Sequence, residues 1–394
     1  MKLLTISTLF PNSKEAKHGI FVETRLKHLV QKYPDIEHTV IAPVPWFPFE
    51  SSLFPQYSKY AKVPAKEIRN GITVYHPRYL VIPKVGMTLT PHTLAFAIER
   101  QLNLLINEGQ RFDLIDGHYY YPDGVAIEKV AKKFNLPFTV TARGTDINLI
   151  PAFEKPKHQI IKVMNNADHN LAVCEALRQE MISIGAVEQS VTTLRNGVDL
   201  SLFSFHNEDQ QLELRKKLDL PVGVPVLMSV GFLIERKGHH LIINTLVDHP
   251  TAYLVIAGSG PDLNKLQQLA SDLKVATRVI FVGSLSQADL SNYYGAADAL
   301  ILASSREGWA NVLLEAMASG TPVVATNVWG TPEVVTTPVA GVLVDRNSAS
   351  ISAGISQVLN LDYSRLQTRQ YAENFNWDDT SDGQYQLFSK IIHS

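Results

Sequence analysis

The chain has 394 residues, 45% of them hydrophobic and 19% charged, with a formal net charge of −2. That length fits two or three domains with buried cores, and the composition excludes a disordered or fibrous chain. The near-neutral charge argues against a general nucleic-acid binder. Charge is unevenly spread: residues 1–200 carry 23 basic and 19 acidic side chains (net +4), and residues 201–394 carry 13 and 19 (net −6). A mildly basic first half suits an anionic acceptor or a membrane surface, and equally suits ordinary solvated charge.

In chain order, MKLLTIST reads as a buried strand. Its apolar stretch is short and lacks the cleavage pattern of a signal peptide. FVETRLKHLVQKY has helical period and HTVIAPV reads as a strand. Residues 42–66, rich in proline and aromatics without periodicity, read as a long loop. HTLAFAIERQLNLLINEG, GVAIEKVAKKF and KHQIIKVMNNA follow as helices, interleaved with the strands FDLIDGH, PFTVTARG and HNLAVC. Cys174, the one cysteine, forms no intrachain disulfide, and a small buried residue accounts for it more simply than a reactive thiol.

The polar stretch NGVDLSLFSFHNEDQQ marks a domain junction near residue 200. The alternation then restarts with VPVLMSVG, HHLIINTLVDH, AYLVIAG, LNKLQQLASDL, RVIFVG, ALILAS, VLLEAMASG, PVVATN and AGVLV. YAENFNWDDTSDGQYQLFSKII reads as one or two amphipathic helices. Short β-branched runs alternating with amphipathic stretches predict α/β domains with doubly wound parallel sheets, Rossmann-like in plan. The expected divisions are 1–200, 201–370 and a C-terminal helix at 371–394 that packs back on the first domain. No stretch reaches the ~18–20 apolar residues of a membrane span, so any membrane contact is expected to be peripheral.

The block at 304–335, SSREGWANVLLEAMASGTPVVATNVWGTPEVV, follows the strand ALILA. Its loop carries Glu307, Gly308, Trp309 and Ala310 at a strand's C-terminal end, where open parallel sheets place ligands. The helix from about Ala310 offers free N–H groups near Asn311 and Val312, an anion site suited to a diphosphate. Glu315, eight residues after Glu307, lies two turns into the helix. Carboxylates accept hydrogen bonds from vicinal hydroxyls, so the pair suits a sugar and a ribose on either side of the phosphates. Alone, that spacing is weak, and two solvated glutamates or a salt bridge explain it equally. Upstream, SVGFLIERKGHHLII places Arg236 and Lys237 before a helix, suited to charge developing on a leaving diphosphate. IAGSGPDL fails the dinucleotide fingerprint, because position 263 is Leu, and reads instead as a turn at Gly258 shaping a nucleotide pocket.

The block resembles the donor signature of retaining glycosyltransferases of family 4, also called group 1, which have the GT-B fold: two Rossmann-like domains facing across a cleft. Glu307, Gly308, Asn311, Glu315, Ala316, Gly320, Thr321, Pro322, Val323, Gly330 and Glu333 carry the likeness. The resemblance implies that Glu307 meets donor sugar hydroxyls and Glu315 the ribose. Backbone near Gly308–Val312 would meet the phosphates, and Gly283 and Ser284 would lie near the base. Where the family commonly has Arg after the first glycine, this chain has Phe232, and Arg236 beside Lys237 supplies charge instead.

In the first half, FDLIDGHYYYPDG sets His118 just past a strand end, with Asp123 close by, suited to orienting the acceptor or equally to a solvated turn, and VTARGTDINLIP presents Arg143 and Asp146 toward the acceptor side of the cleft after another strand. A His is common at the first position in the family, near donor sugar and acceptor. Arg143 stands where H-G-x-D is frequent, suited to an anionic acceptor or to pairing with Asp146. Gly19 resembles the family's Gly-rich first loop, its usual pair reduced to His18-Gly19. The resemblance implies a retaining hexosyltransferase; the single cysteine and the missing signal pattern suit the cytoplasm, with any membrane contact peripheral at the inner membrane face. It implies a nucleotide-sugar donor, a UDP-sugar first and a GDP-sugar second, and a glycan or lipid-linked acceptor of surface polysaccharide synthesis. The chain contains no D-x-D pair or His/Cys cluster with metal-ligand spacing, so no metal or other cofactor is expected. Trp46, Phe47, Phe49 and Phe54, with Lys59, Lys62 and Lys66, suit a lipid surface or an ordinary packed loop. The rival functions are a sugar-nucleotide epimerase of the same plan, which would release no UDP, and a non-catalytic nucleotide-sugar binder. A dehydrogenase lacks its fingerprint.

Overall fold

A computed structural model describes residues 1–46, 60–81 and 86–393. The chain divides into two compact units, Met1–Arg195 with the segment from Asp378 onward, and Asn196–Trp377. The divisions thus fall at 195/196 and 377/378, against 200 and 370 read from the sequence.

Unit 1 contains, in chain order, β1 Lys2–Ile6, β2 Glu37–Ile41, β3 Val44–Pro45, β4 Lys66–Arg69, β5 Ile72–Tyr75, β6 Arg78–Tyr79, β7 Leu114–His118, β8 Phe138–Ala142, β9 His169–Ala172 and β10 Val191–Thr193. Among the described residues, eight of these form one sheet in the order β10-β9-β8-β7-β1-β2-β5-β4. It is parallel except for the edge hairpin β4–β5. That hairpin begins at Lys66, the last residue of the stretch expected to be a loop, and β3 lies inside that stretch. It turns at Asn70 and Gly71, both with positive φ (50° and 82°), the backbone that a tight two-residue hairpin demands. Leu3, Val40, Val74 and Leu114 from the strands and Val22, Leu26 and Leu29 from the helix Ile20–Lys32 share one core.

The C-terminal helix Asp378–His393 completes this unit. Tyr385 stacks on Tyr33 with centroids 3.9 Å apart, and Asp382 lies 2.6 Å from the Lys32 Nζ. Beneath them the buried Arg25 donates to Gln384 Oε1 and to the Leu194 carbonyl, each at 2.9 Å. Phe388 is fully buried in the unit's core.

Unit 2 contains β11 Val226–Val230, β12 Tyr253–Ala257, β13 Val279–Gly283, β14 Ala299–Leu302, β15 Val323–Thr326 and β16 Gly341–Val344. These form a sheet in the order β13-β12-β11-β14-β15-β16, parallel throughout. Numbered within the unit this is 3-2-1-4-5-6, the doubly wound dinucleotide-fold order. Leu227, Leu254, Ile256 and Ile301 pack against Ile242, Ile243, Ile351 and Ile355 of the covering helices. No helix among the described residues is long and apolar enough to cross a membrane. Trp46 is half exposed, while Phe47, Phe49, Phe54 and Lys59 lie outside the described residues.

Replacing Arg25 by Met strands a buried acceptor, Gln384 Oε1, and a partly buried one, Leu194 O, at the seat of the C-terminal helix. Arg25→Met is expected to cost about 2–4 kcal/mol, read as a lower urea midpoint by circular dichroism. A midpoint equal to wild type would show that the guanidinium contributes nothing to seating that helix.

Candidate functional site

In a doubly wound sheet the connections leave neighbouring strands in opposite directions at one point, and the loops there part to open a crevice at the C-terminal edge. In unit 2 that point lies between β11 and β14. The loop after β11 carries Arg236 and Lys237, and the loop after β14 carries Glu307, Gly308, Trp309 and Ala310. The two loops are tied together: Lys237 Nζ lies 2.5 Å from Glu307 Oε1, and Arg236 Nη1 donates to the Arg306 carbonyl at 2.7 Å. Both members of the ion pair are largely shielded, at 16% and 12% exposure. Gly258 seals the other side of the β11 loop: a Cβ there would fall 1.9 Å from the Gly231 carbonyl oxygen, so no larger residue fits.

The helix Asn311–Ala318 starts beside this pair, its N-cap at Ala310. No side chain caps it, and its first turn, with Asn311 and Val312, holds no acidic residue, so its positive end stays open to an anion. The Asn311 side chain is fixed by Asn196 at 3.2 Å, and Trp309 packs near the Phe375 ring. Glu315, partly buried, accepts a hydrogen bond from the Tyr294 hydroxyl at 3.0 Å. Burial pushes its carboxyl up to about 7, and the Tyr294 bond opposes that shift. Gly283 and Ser284 lie exposed at the end of β13, with Ser284 Oγ 3.1 Å from Ser259 Oγ. Phe232 stands 54% exposed on the β11 loop. The edge therefore gathers two cations, an uncapped helix end and two carboxylates. It can hold a diphosphate and accept hydrogen bonds from hydroxyls.

Unit 1 has its own switch point, between β1 and β7. His118 ends β7, almost fully buried. Its Nδ1 lies 2.7 Å from Arg143 Nη2. A guanidinium only donates, so Nδ1 accepts and Nε2 carries the proton, directed at Asp116 Oδ2 3.2 Å away. Burial holds the imidazole down at about 4, with Asp116 pulling the other way, so the ring is neutral near pH 7. Arg143 also lies over the Phe21 ring.

The two aspartates expected to face an acceptor are buried loop anchors. Asp123 accepts from Thr8 N at 2.7 Å and from the Thr8 and Ser7 hydroxyls. Burial pushes its carboxyl up to about 7. Asp146 accepts from the backbone N–H groups of Tyr120, Arg143 and Gly144. Gly19 caps the helix Ile20–Lys32 at φ 66°, and a Cβ there would fall 2.2 Å from the Leu9 carbonyl carbon and oxygen. Three contributors escape the sequence reading: Asp116, Tyr294 and Arg25, whose positive charge lowers the pKa of both Asp116 and His118. Asp116 was findable, because residues two apart on a strand share a face and Asp116-x-His118 ends one.

The models described as Glycosyltransferase Family 4 and Glycosyl transferases group 1 match residues 22–202 and 210–375. TuaC of Bacillus subtilis, a glycosyltransferase assigned provisionally to teichuronic acid biosynthesis, is 32% identical over 336 residues, 84% of this chain and 82% of its own. Among solved structures, sucrose-phosphate synthase from Thermosynechococcus elongatus superposes with TM-score 0.82 at 19% identity, over 100% of this chain and 99% of the other. Anabaena HepE in complex with UDP-glucose superposes with TM-score 0.73 at 19% identity, over 99% and 100%.

Glu315 supplies a pH signature. Its folded pKa of about 7 exceeds the ordinary 4.5, so the stability it contributes is complete below about 4.5 and is lost as pH rises through about 7. The melting temperature of wild type minus that of Glu315→Gln should therefore fall across that window. A difference that stays flat from pH 4 to 8 would contradict the buried carboxyl.

Proposed function

The chain belongs to the group 1, family 4 glycosyltransferases and has their GT-B fold, and from that premise we propose that it transfers a hexose from a UDP-sugar to a glycan or lipid-linked acceptor in surface polysaccharide synthesis, with retention at the anomeric carbon and without a metal. The observation that carries the donor half is the Lys237–Glu307 pair at the unit 2 switch point, beside the uncapped helix end at Asn311. A diphosphate bound there draws Lys237 away from Glu307 and takes the positive helix end as a second partner. Glu307, so released, accepts hydrogen bonds from sugar hydroxyls, and Glu315 accepts them from the ribose. The UDP-glucose complex of HepE supports a UDP-sugar as the first donor to try, and the name of TuaC supports a surface-polymer acceptor.

The chemistry we favour is a same-face displacement. The acceptor hydroxyl oxygen bonds to the anomeric carbon as the carbon–oxygen bond to the diphosphate breaks, and the hydroxyl proton passes to the leaving phosphate oxygen. Arg236, Lys237 and the helix end stabilise the charge that develops on the diphosphate. His118 serves as a neutral, oriented ring rather than a base, because Arg143 occupies its Nδ1. Arg143 carries positive charge toward an anionic acceptor group, and peripheral contact with a membrane brings a lipid-linked acceptor within reach.

Thermal shift against UDP-, GDP-, ADP- and TDP-sugars, run with and without EDTA, tests the donor reading. A ligand at about a hundred times its dissociation constant stabilises by about 2.7 kcal/mol, which moves the midpoint by several degrees. A UDP-sugar is expected to give that shift in wild type and a much smaller one in Glu315→Ala. No shift with any of these donors, or a shift abolished by EDTA, would overturn the donor or the metal-free part of the reading respectively.

A further inference from the structure

Unit 1 holds an apolar groove outside the site described above. It has a volume of about 410 Å³ and is lined by Trp46, Arg78, Tyr79, Leu80, His92, Thr93 and Phe96. Trp46, Leu80 and Phe96 are 50%, 46% and 68% exposed, an unusual outlay of large apolar surface at one spot. The volume is that of a small-molecule site rather than of a packing defect. Among the described residues no carboxylate lines it.

The charge at the groove is cationic, beside the neutral hydroxyls of Tyr79 and Thr93. Arg78 forms no ion pair among the described residues; it donates through Nη2 to the Val63 carbonyl, and its Nη1 is shut from solvent with no hydrogen-bond partner. A guanidinium at an apolar wall without a carboxylate is an uncompensated charge, and desolvation holds its pKa below the ordinary value. His92 lies in the first turn of the 18-residue helix Thr90–Asn107, which has no side-chain cap and no acidic residue in that turn. Lys129 Nζ sits 2.9 Å from His92 Nδ1, adding a second cation at the positive end of the helix. Apolar walls with a cationic end match a ligand that is itself divided into a hydrocarbon part and an anionic part.

We propose that this groove binds a single-chain lipid phosphate, its hydrocarbon lying along Trp46, Leu80 and Phe96 and its phosphate against Arg78 and the His92–Lys129 end. For its purpose, presenting a lipid-linked acceptor, the inference rests on the transferase reading. The binding itself does not, because it is measured without any sugar donor.

The test is calorimetric titration of the full chain with dodecyl phosphate below its micelle concentration. Inorganic phosphate and dodecyl maltoside isolate the head and the chain. Dodecyl phosphate should bind wild type and Ile68→Ser, an exposed apolar control away from the groove, with equal affinity. Phe96→Ser and Arg78→Gln should each weaken it about tenfold or more, the loss expected when a contact worth about 1.4 kcal/mol goes. Arg78 also holds Val63, so if Arg78→Gln melts early the decision passes to Phe96→Ser, whose side chain takes no part in the core. Unchanged binding by Phe96→Ser overturns the proposal. So does inorganic phosphate or the maltoside binding as tightly as dodecyl phosphate, which would reveal a bare anion site or a nonspecific apolar patch. If donors shift unit 2 as expected while dodecyl phosphate fails to bind, this inference falls and the transferase reading stands.

Discussion

A parallel sheet buried on both faces must send each connection over one side or the other, and where the direction reverses the loops part at the C-terminal edge. This constraint decides where chemistry can sit in both units. In unit 2 the reversal lies between β11 and β14, and Lys237 and Glu307 join the two loops that part there. In unit 1 it lies between β1 and β7, where Thr8 from one loop is held by Asp123 from the other and His118 ends the second strand. Each unit thus ties its own crevice with a polar contact across the reversal.

The two ties differ in kind. Asp123 is buried and saturated by N–H and O–H donors, a permanent fastening that shapes the first loop. Lys237–Glu307 is a short pair at the mouth of the crevice, between groups that each match part of a nucleotide sugar. Such a pair joins the two loops in the unliganded protein, and in the proposed function it exchanges partners when a diphosphate enters. The neutral His118 and the raised carboxyl of Glu315 follow the same electrostatic rule: burial suppresses charge wherever no opposite partner outweighs it.

Much of this was legible in the chain. The alternation of strands and helices and the block from Glu307 to Glu315 carry local signals: β-branched runs, a glycine stop at Gly320, carboxylates at a strand end. The β4–β5 hairpin was legible too, since Asn70-Gly71 between alternating residues is a strong hairpin signal, yet the proline-rich stretch before it masks the pattern. Arg25 and Tyr294 were not legible. Arg25 meets Gln384 across 359 residues of chain, and Tyr294 reaches Glu315 only through packing of two helices. Asp123 and Asp146 were visible as candidates, but their burial, which turns them into loop anchors, arises only once the strands are assembled.

Donor binding as proposed requires the Lys237–Glu307 pair to open to a diphosphate, and calorimetry of UDP and UDP-glucose with wild type, Lys237→Met and Glu307→Gln measures this directly. Releasing Lys237 from its partner should leave UDP binding by Glu307→Gln at least as tight as wild type while erasing any preference for UDP-glucose. Lys237→Met should bind both ligands about tenfold or more weakly, as loss of a charge-assisted contact requires. If Glu307→Gln weakens UDP as much as Lys237→Met does, or if neither change matters, the pair is a structural tie and the diphosphate site lies elsewhere.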